Sequence, residues 1–129
     1  MRIRALVAEL IGTFALIFIG VGSIAANDMT KGAVGLVGIA FAHGLTIAVM
    51  VSAAAAISGG HFNPAVTIGA LAARKIDPLT GLLYILAQCV GATAGAAVLR
   101  LAMPGGVLDR VQMGARGSTW ARRSWPRWC

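Results

Sequence analysis

Along this chain, long apolar runs alternate with short polar breaks. Residues 5–26, 33–58 and 78–99 carry no formal charge apart from Glu9. Each run exceeds the roughly 20 residues that a helix needs to cross a hydrocarbon core of about 30 Å. None keeps the polar face that a helix on a soluble domain shows to water. The pattern predicts three spans near residues 5–26, 34–57 and 78–102. Between the second and third, Ser58-Gly59-Gly60-His61-Phe62 is followed by an apolar stretch over residues 63–73, too short for a span. At about 1.5 Å per residue it reaches roughly half-way across a bilayer. That length predicts a re-entrant segment over residues 58–75, entering and leaving on one face. The expected fold class is an all-α membrane protein of three transmembrane helices plus one re-entrant half-helix.

Composition agrees: 58% of the 129 residues are hydrophobic and 12% charged, against about 25% charged in soluble domains. The net charge of +7 comes from 11 bases and 4 acids. The bases flank spans or crowd the C-terminal tail and form no basic face with interleaved aromatics, which argues against a nucleic-acid partner. Arg2 and Arg4 precede the first span, and Arg74 and Lys75 lie between the second and third. The positive-inside rule then places the N-terminus in the cytoplasm and residue 104 onward outside. Arg2, Arg4 and the run that follows also fit a cleavable signal peptide. Glu9 within that run, and two further spans, favour a retained first span.

Cys89 and Cys129 match no metal or redox spacing. Asp28, Asp77 and Asp109 sit singly in connections, with no paired carboxylates and no Ser/His/Asp grouping, so neither an enzyme nor a metal or cofactor site is expected. Gly91 and Gly95 form a GxxxG on the third span, and Gly35, Gly38 and Gly44 line the second. Small residues at such spacing let helix backbones approach closely in lipid.

The short segment carries the chemistry. Asn63-Pro64 reads as a helix start, because Asn is a preferred cap and Pro suits the first helical position. Gly59 and Gly60 allow a backbone path closed to most residues. Carbonyls from Gly59 to Phe62 can then form a row of acceptors, and irregular backbone at membrane depth is tolerated only in protein or beside water. The Asn63 carboxamide can accept from helix amides while its NH2 group donates away from them. A helix N-terminus there brings partial positive charge, which passes neutral solutes and opposes cations and protons.

Residues 58–67, Ser-Gly-Gly-His-Phe-Asn-Pro-Ala-Val-Thr, resemble the first Asn-Pro-Ala loop of the aquaporin, or major intrinsic protein, family. Ala8-Glu9-Leu10-Ile11-Gly12-Thr13-Phe14 is similar to its first span, Ala42-His43-Gly44-Leu45-Thr46 to its second, and Ala87-Gln88-Cys89-Val90-Gly91-Ala92 to its third. The resemblance covers residues 5 to about 103. It implies a passive channel for water and small neutral solutes, in a multi-pass protein of the plasma (cell) membrane whose relatives assemble as homo-oligomers. Asn63, with Pro64 and Ala65, would stand at the pore centre; Gly59, Gly60, His61 and Phe62 would supply the carbonyl ladder. Glu9 would hold the loop through backbone amides, and His61 would be a packed, hydrogen-bonded loop residue. His43 would contribute to the selectivity constriction, as in several plant vacuolar members and broader-specificity channels.

The family is built from two inverted repeats. The expected organisation here is one repeat over residues 1–103, then an inter-repeat loop remnant and atypical tail over 104–129. Trp120, Trp125, Trp128, Arg116, Arg122, Arg123 and Arg127 all fall in that tail, and past Gly117 the quoted pattern ends. An out-of-frame ending explains this more simply than a tail that binds anionic lipid. The alternative function is a small three-span protein that associates with full-length channels and transports nothing itself.

Overall fold

The computed structural model describes residues 2–114; the tail discussed above lies outside the described residues, apart from its first part. The described residues form α1 (Arg2–Met29), α2 (Gly35–Ser58), α3 (Pro64–Ala72), α4 (Pro78–Ala102) and a single turn, α5 (Val107–Arg110), followed by a 3-10 turn over Gln112–Gly114. Helices α1, α2 and α4 are long and apolar enough to cross a membrane. At 1.5 Å per residue they measure about 42, 36 and 38 Å. The first helix runs about three residues further at each end than the charge-free run suggests. Arg4 and Asp28 lie within those extra turns, where charged side chains can reach the interface while the helix continues.

Helix α1 is central, packed against both α2 and α4. Glu9 meets Ser58 and Gly20 meets His43, so α1 and α2 run antiparallel. Glu9 meets Gln88, Leu10 meets Gly91, and Phe14 meets Gly95, so α1 and α4 run parallel. A Cβ on Gly91 or Gly95 would strike the backbone oxygen of Leu10 or Phe14. The GxxxG pair is therefore what lets the two backbones touch, and it aligns Glu9 with Gln88. Helix α2 packs along one edge, burying only Thr46, Ala54 and Ser58. Its remaining face, with Leu36, Val37, Phe41, Leu45 and Val49, is exposed and apolar.

Thr67 of α3 sits beside Gln88 of α4, and Leu71 packs beside Gly81. The short helix thus runs antiparallel to α4, with its N-terminus further from the α4 start. Gln88 lies ten residues into α4, about 15 Å along its axis. At the other end of the bundle, α5 folds back so that Val107 and Leu108 close a small core with Ala25 and Leu99. Arg110–Asp28 at 2.7 Å and Arg100–Asp109 at 3.1 Å tie it down. Both pairs are solvated, and exposed pairs contribute about 0–1 kcal/mol, so burial does most of the holding.

Gly91→Leu should separate α1 from α4, because its side chain meets backbone rather than a movable group. The expected loss is about 1–3 kcal/mol in unfolding by detergent titration. Unchanged stability would show that the two helices do not pack through Gly91.

Candidate functional site: the loop held by Glu9

Helix α2 ends at Ser58, where Gly59 takes the left-handed conformation (φ 90°) and returns its N–H to the Ala55 carbonyl. Gly60 is also left-handed, at φ 65°, and so is Phe62, at φ 48°. A bulky aromatic residue rarely adopts this backbone, which costs on the order of 1–3 kcal/mol unless the surroundings impose it. Two contacts impose it here. The Phe62 N–H donates to Glu9 Oε2 at 2.6 Å. Its ring fills the notch left by Gly12 on α1, where any Cβ would overlap it. Asn63 then returns to extended backbone (φ −154°, ψ 128°) and caps α3, its Oδ1 accepting from the Ala65 N–H at 2.8 Å.

Glu9 is fully buried. Its Oε1 accepts from Ser58 Oγ at 2.7 Å and from the His61 N–H at 2.9 Å. Its Oε2 accepts from the Phe62 N–H and from Gln88 Nε2 at 2.8 Å. Four donors thus converge on the two oxygens, and the carboxylate acts as an acceptor alone. No cation pairs with it among the described residues. Its charge is offset by these dipoles and by the nearby N-terminus of α3.

Gln88 Nε2 also donates to Thr67 Oγ1 at 2.9 Å, which stitches α4 to α3. Rotating the Gln88 amide by half a turn would set its oxygen against the Glu9 carboxylate, so the amide orientation is fixed. The Thr67 hydroxyl donates to the Asn63 carbonyl at 3.2 Å, which leaves the His61 Nδ1–H to donate to Thr67 at 3.1 Å. His61 stands edge-on to Tyr84 at 5.5 Å between ring centres, and the Tyr84 hydroxyl donates to the Ser58 carbonyl at 3.0 Å.

In a trans peptide, N–H and C=O point in opposite directions. Drawing the His61 and Phe62 N–H groups toward Glu9 therefore turns the Gly60 and His61 carbonyls away from it. No donor among the described residues reaches the carbonyls of Gly59, Gly60, His61 or Phe62. Asn63 is exposed, with its Nδ2 unengaged among the described residues. The side of the loop toward Glu9 is hydrogen-bonded, and the side away from it carries at least the Gly60 and His61 carbonyls as open acceptors.

The structure thus brings Glu9, Gly59, Gly60, His61, Phe62, Asn63, Pro64 and Ala65 together. It does not bring His43 to them. His43 lies eight residues into α2, at the level of Gly20 on α1, with Nδ1 against its own helix's Ile39 carbonyl at 2.9 Å. Sequence reasoning missed Gln88, Thr67 and Tyr84 as partners of the loop, and Gly12 as the seat of Phe62. Gln88 was detectable, since a polar side chain within a charge-free span faces the protein interior and has a partner. Gly12 gives no such signal, because a glycine in an apolar helix looks the same whether it meets an aromatic ring or lipid.

Three helices long and apolar enough to span a membrane, with a non-helical loop pinned between them by a buried carboxylate, define a class: multi-span integral membrane proteins. Comparison with known proteins narrows this. The sequence profile described as Major intrinsic protein matches residues 1–122, so the chain belongs to the major intrinsic protein family. It is 47% identical over 108 residues to a probable aquaporin TIP-type of Antirrhinum majus, covering 80% of this chain and 43% of that one. It is 44% identical over 106 residues to Aquaporin Z of Photorhabdus laumondii (81% and 46%). Aquaporin TIP2-1 of Zea mays is 50% identical over 102 residues (75% and 41%). The chain spans less than half the length of these curated relatives.

Replacing Glu9 with Gln would set an NH2 group against donors that now converge on an acceptor. With a loss of about 2 kcal/mol, typical for hydrogen bonds to a charged group, the His61 and Phe62 amides should exchange with solvent roughly 30-fold faster. Hydrogen exchange on the chain in lipid nanodiscs reads this directly. Unaltered protection at both amides would show that the carboxylate does not hold the loop.

Proposed function

We propose that this chain supplies one half of a passive transmembrane channel for water and small neutral solutes. The observation that carries the reading is the two-sided loop: Glu9 takes up the His61 and Phe62 amides and so turns the Gly60 and His61 carbonyls away from it, while the carbonyls of residues 59–62 and the Asn63 NH2 group keep no partner among the described residues. Such a row can exchange hydrogen bonds with a file of small neutral molecules. The positive end of α3 beside it opposes cations and protons. Asn63, Pro64 and Ala65 form the pore centre on this reading, and His43 belongs to a narrower constriction toward the other end of α2. Residues 1–103 act as one repeat, with 58–75 re-entrant from the side of Arg74 and Lys75. That side is cytoplasmic by the positive-inside rule, and the membrane is the cell membrane.

One α3 lines only half a pore. A complete one needs a second half-helix meeting the first from the opposite face, so the 129 residues alone conduct water poorly or not at all. Copies of the chain that assemble in one orientation do not supply the inverted half. The exposed apolar face of α2 supports a second reading, in which these residues associate with complete channels and transport nothing themselves.

Light scattering from liposomes holding the purified chain tests whether these residues conduct alone. Osmotic shrinkage no faster than in empty liposomes is expected. Water permeability well above that background, abolished by Asn63→Ala, would show that the half-pore conducts unaided.

A further inference from the structure

Gly20 on α1 is buried, and its surroundings differ from those of the glycines that let helices touch. A Cβ built on Gly91 or Gly95 meets the backbone of another helix. A Cβ on Gly20 would meet one side chain instead: His43 Nε2 at 2.5 Å, Cδ2 at 2.8 Å and Cε1 at 3.1 Å. The three nearest atoms are thus the leading edge of a single imidazole, pointed into α1. The ring's other nitrogen is fixed too, since Nδ1 lies 2.9 Å from the Ile39 carbonyl. A carbonyl oxygen can only accept, so Nδ1 carries the proton and Nε2 enters the notch.

We propose that Gly20 is a positioning residue for His43. The notch at Gly20 admits the imidazole tip and fixes its rotamer. The Ile39 carbonyl fixes its tautomer. Together they hold the ring against α1. The inference rests on the reading of His43 as a constriction residue for its functional meaning. Seen that way, Gly20 acts on solute selection through His43 without touching solute. The seating itself stands on the α1–α2 geometry alone.

Glycine in a helix interior forfeits helix propensity relative to alanine, so replacing it should help wherever space allows. Gly22, two residues on, offers the matched comparison: its nearest neighbour is Leu99 Cδ1 at 3.4 Å, an ordinary contact. At Gly20 the added methyl would instead displace the ring. The obstructing atoms belong to a side chain with two free torsions, so α1 and α2 need not part. His43 would rotate out, and its bond to Ile39 would break.

The test uses the 129-residue chain with 15N-labelled histidine in lipid nanodiscs, with His43 assigned by comparison with His43→Ala. The wild-type signals should show one tautomer, protonated at Nδ1. Gly20→Ala should replace it with a mixture or with the opposite tautomer, while Gly22→Ala should leave it as in the wild type. His61 serves as an internal reference and should keep its signals in every variant. Detergent unfolding completes the cycle: Gly20→Ala should lower stability when His43 is present and raise it, or leave it unchanged, in the His43→Ala background. Three results would overturn the proposal: an unmoved His43 signal in Gly20→Ala, an equal shift in Gly22→Ala, or a Gly20→Ala cost that persists without His43. None of these readouts depends on conduction, so a chain that fails as a channel leaves the seating of His43 separately decided.

Discussion

The Glu9 carboxylate receives hydrogen bonds from the end of α2, from two successive loop amides and from the middle of α4. An ionised group in this setting is costly to bury without partners, and each donor lost removes part of what offsets its charge in a poorly polarisable interior. The position of the loop is therefore tied to the position of α1. Ser58 must be the last residue of α2 for its hydroxyl to reach Oε1. The chain must turn through two left-handed glycines for the amides of residues 61 and 62 to face the same carboxylate. Phe62 accepts an unfavourable backbone conformation because its amide and its ring are both claimed by α1.

That arrangement works only if α1 and α4 are in register. The register comes from the absence of side chains: Gly91 against Leu10 and Gly95 against Phe14 bring the backbones together at four-residue spacing. One turn before Gly91, this close approach carries the Gln88 amide to Glu9 and Thr67. In lipid the hydrophobic effect does not discriminate between one apolar contact and another, so steric fit and buried polar bonds decide which surfaces meet. Glycine supplies the fit here, and the Glu9–Gln88–Thr67 group supplies the polar bonds.

How much of this could be read from the sequence depends on the kind of signal. The spanning helices follow from run length and the lack of charge. The start of α3 at Pro64 follows from a cap residue followed by proline, both local rules. The quoted motifs led to the same family that the profile match shows. What stayed hidden was pairing across the bundle. Gln88 and Tyr84 have polar groups whose partners lie 21 to 79 residues away in sequence, and no local pattern specifies which of several helix faces will meet. The extra turns of α1 were hidden for a related reason: charge ends an apolar run in the sequence, but it does not end a helix whose termini stand in an interface.

The two-sidedness of the loop links the fold to the proposed activity, and it follows from peptide geometry more than from any one side chain. A peptide group presents its donor and acceptor in opposite directions, so a partner that accepts from consecutive amides also aims the attached carbonyls the other way. Were Glu9 replaced structurally by a donor such as lysine, the same turn would be held by its carbonyls and would show amides on its open side. The acidic character of residue 9 thus selects the sign of the exposed row. On the proposed reading, a row of acceptors beside the positive end of α3 favours molecules that carry both donor and acceptor without net charge. Asn63 completes that logic, since its oxygen is committed to the Ala65 amide and only its NH2 group remains to face the open side.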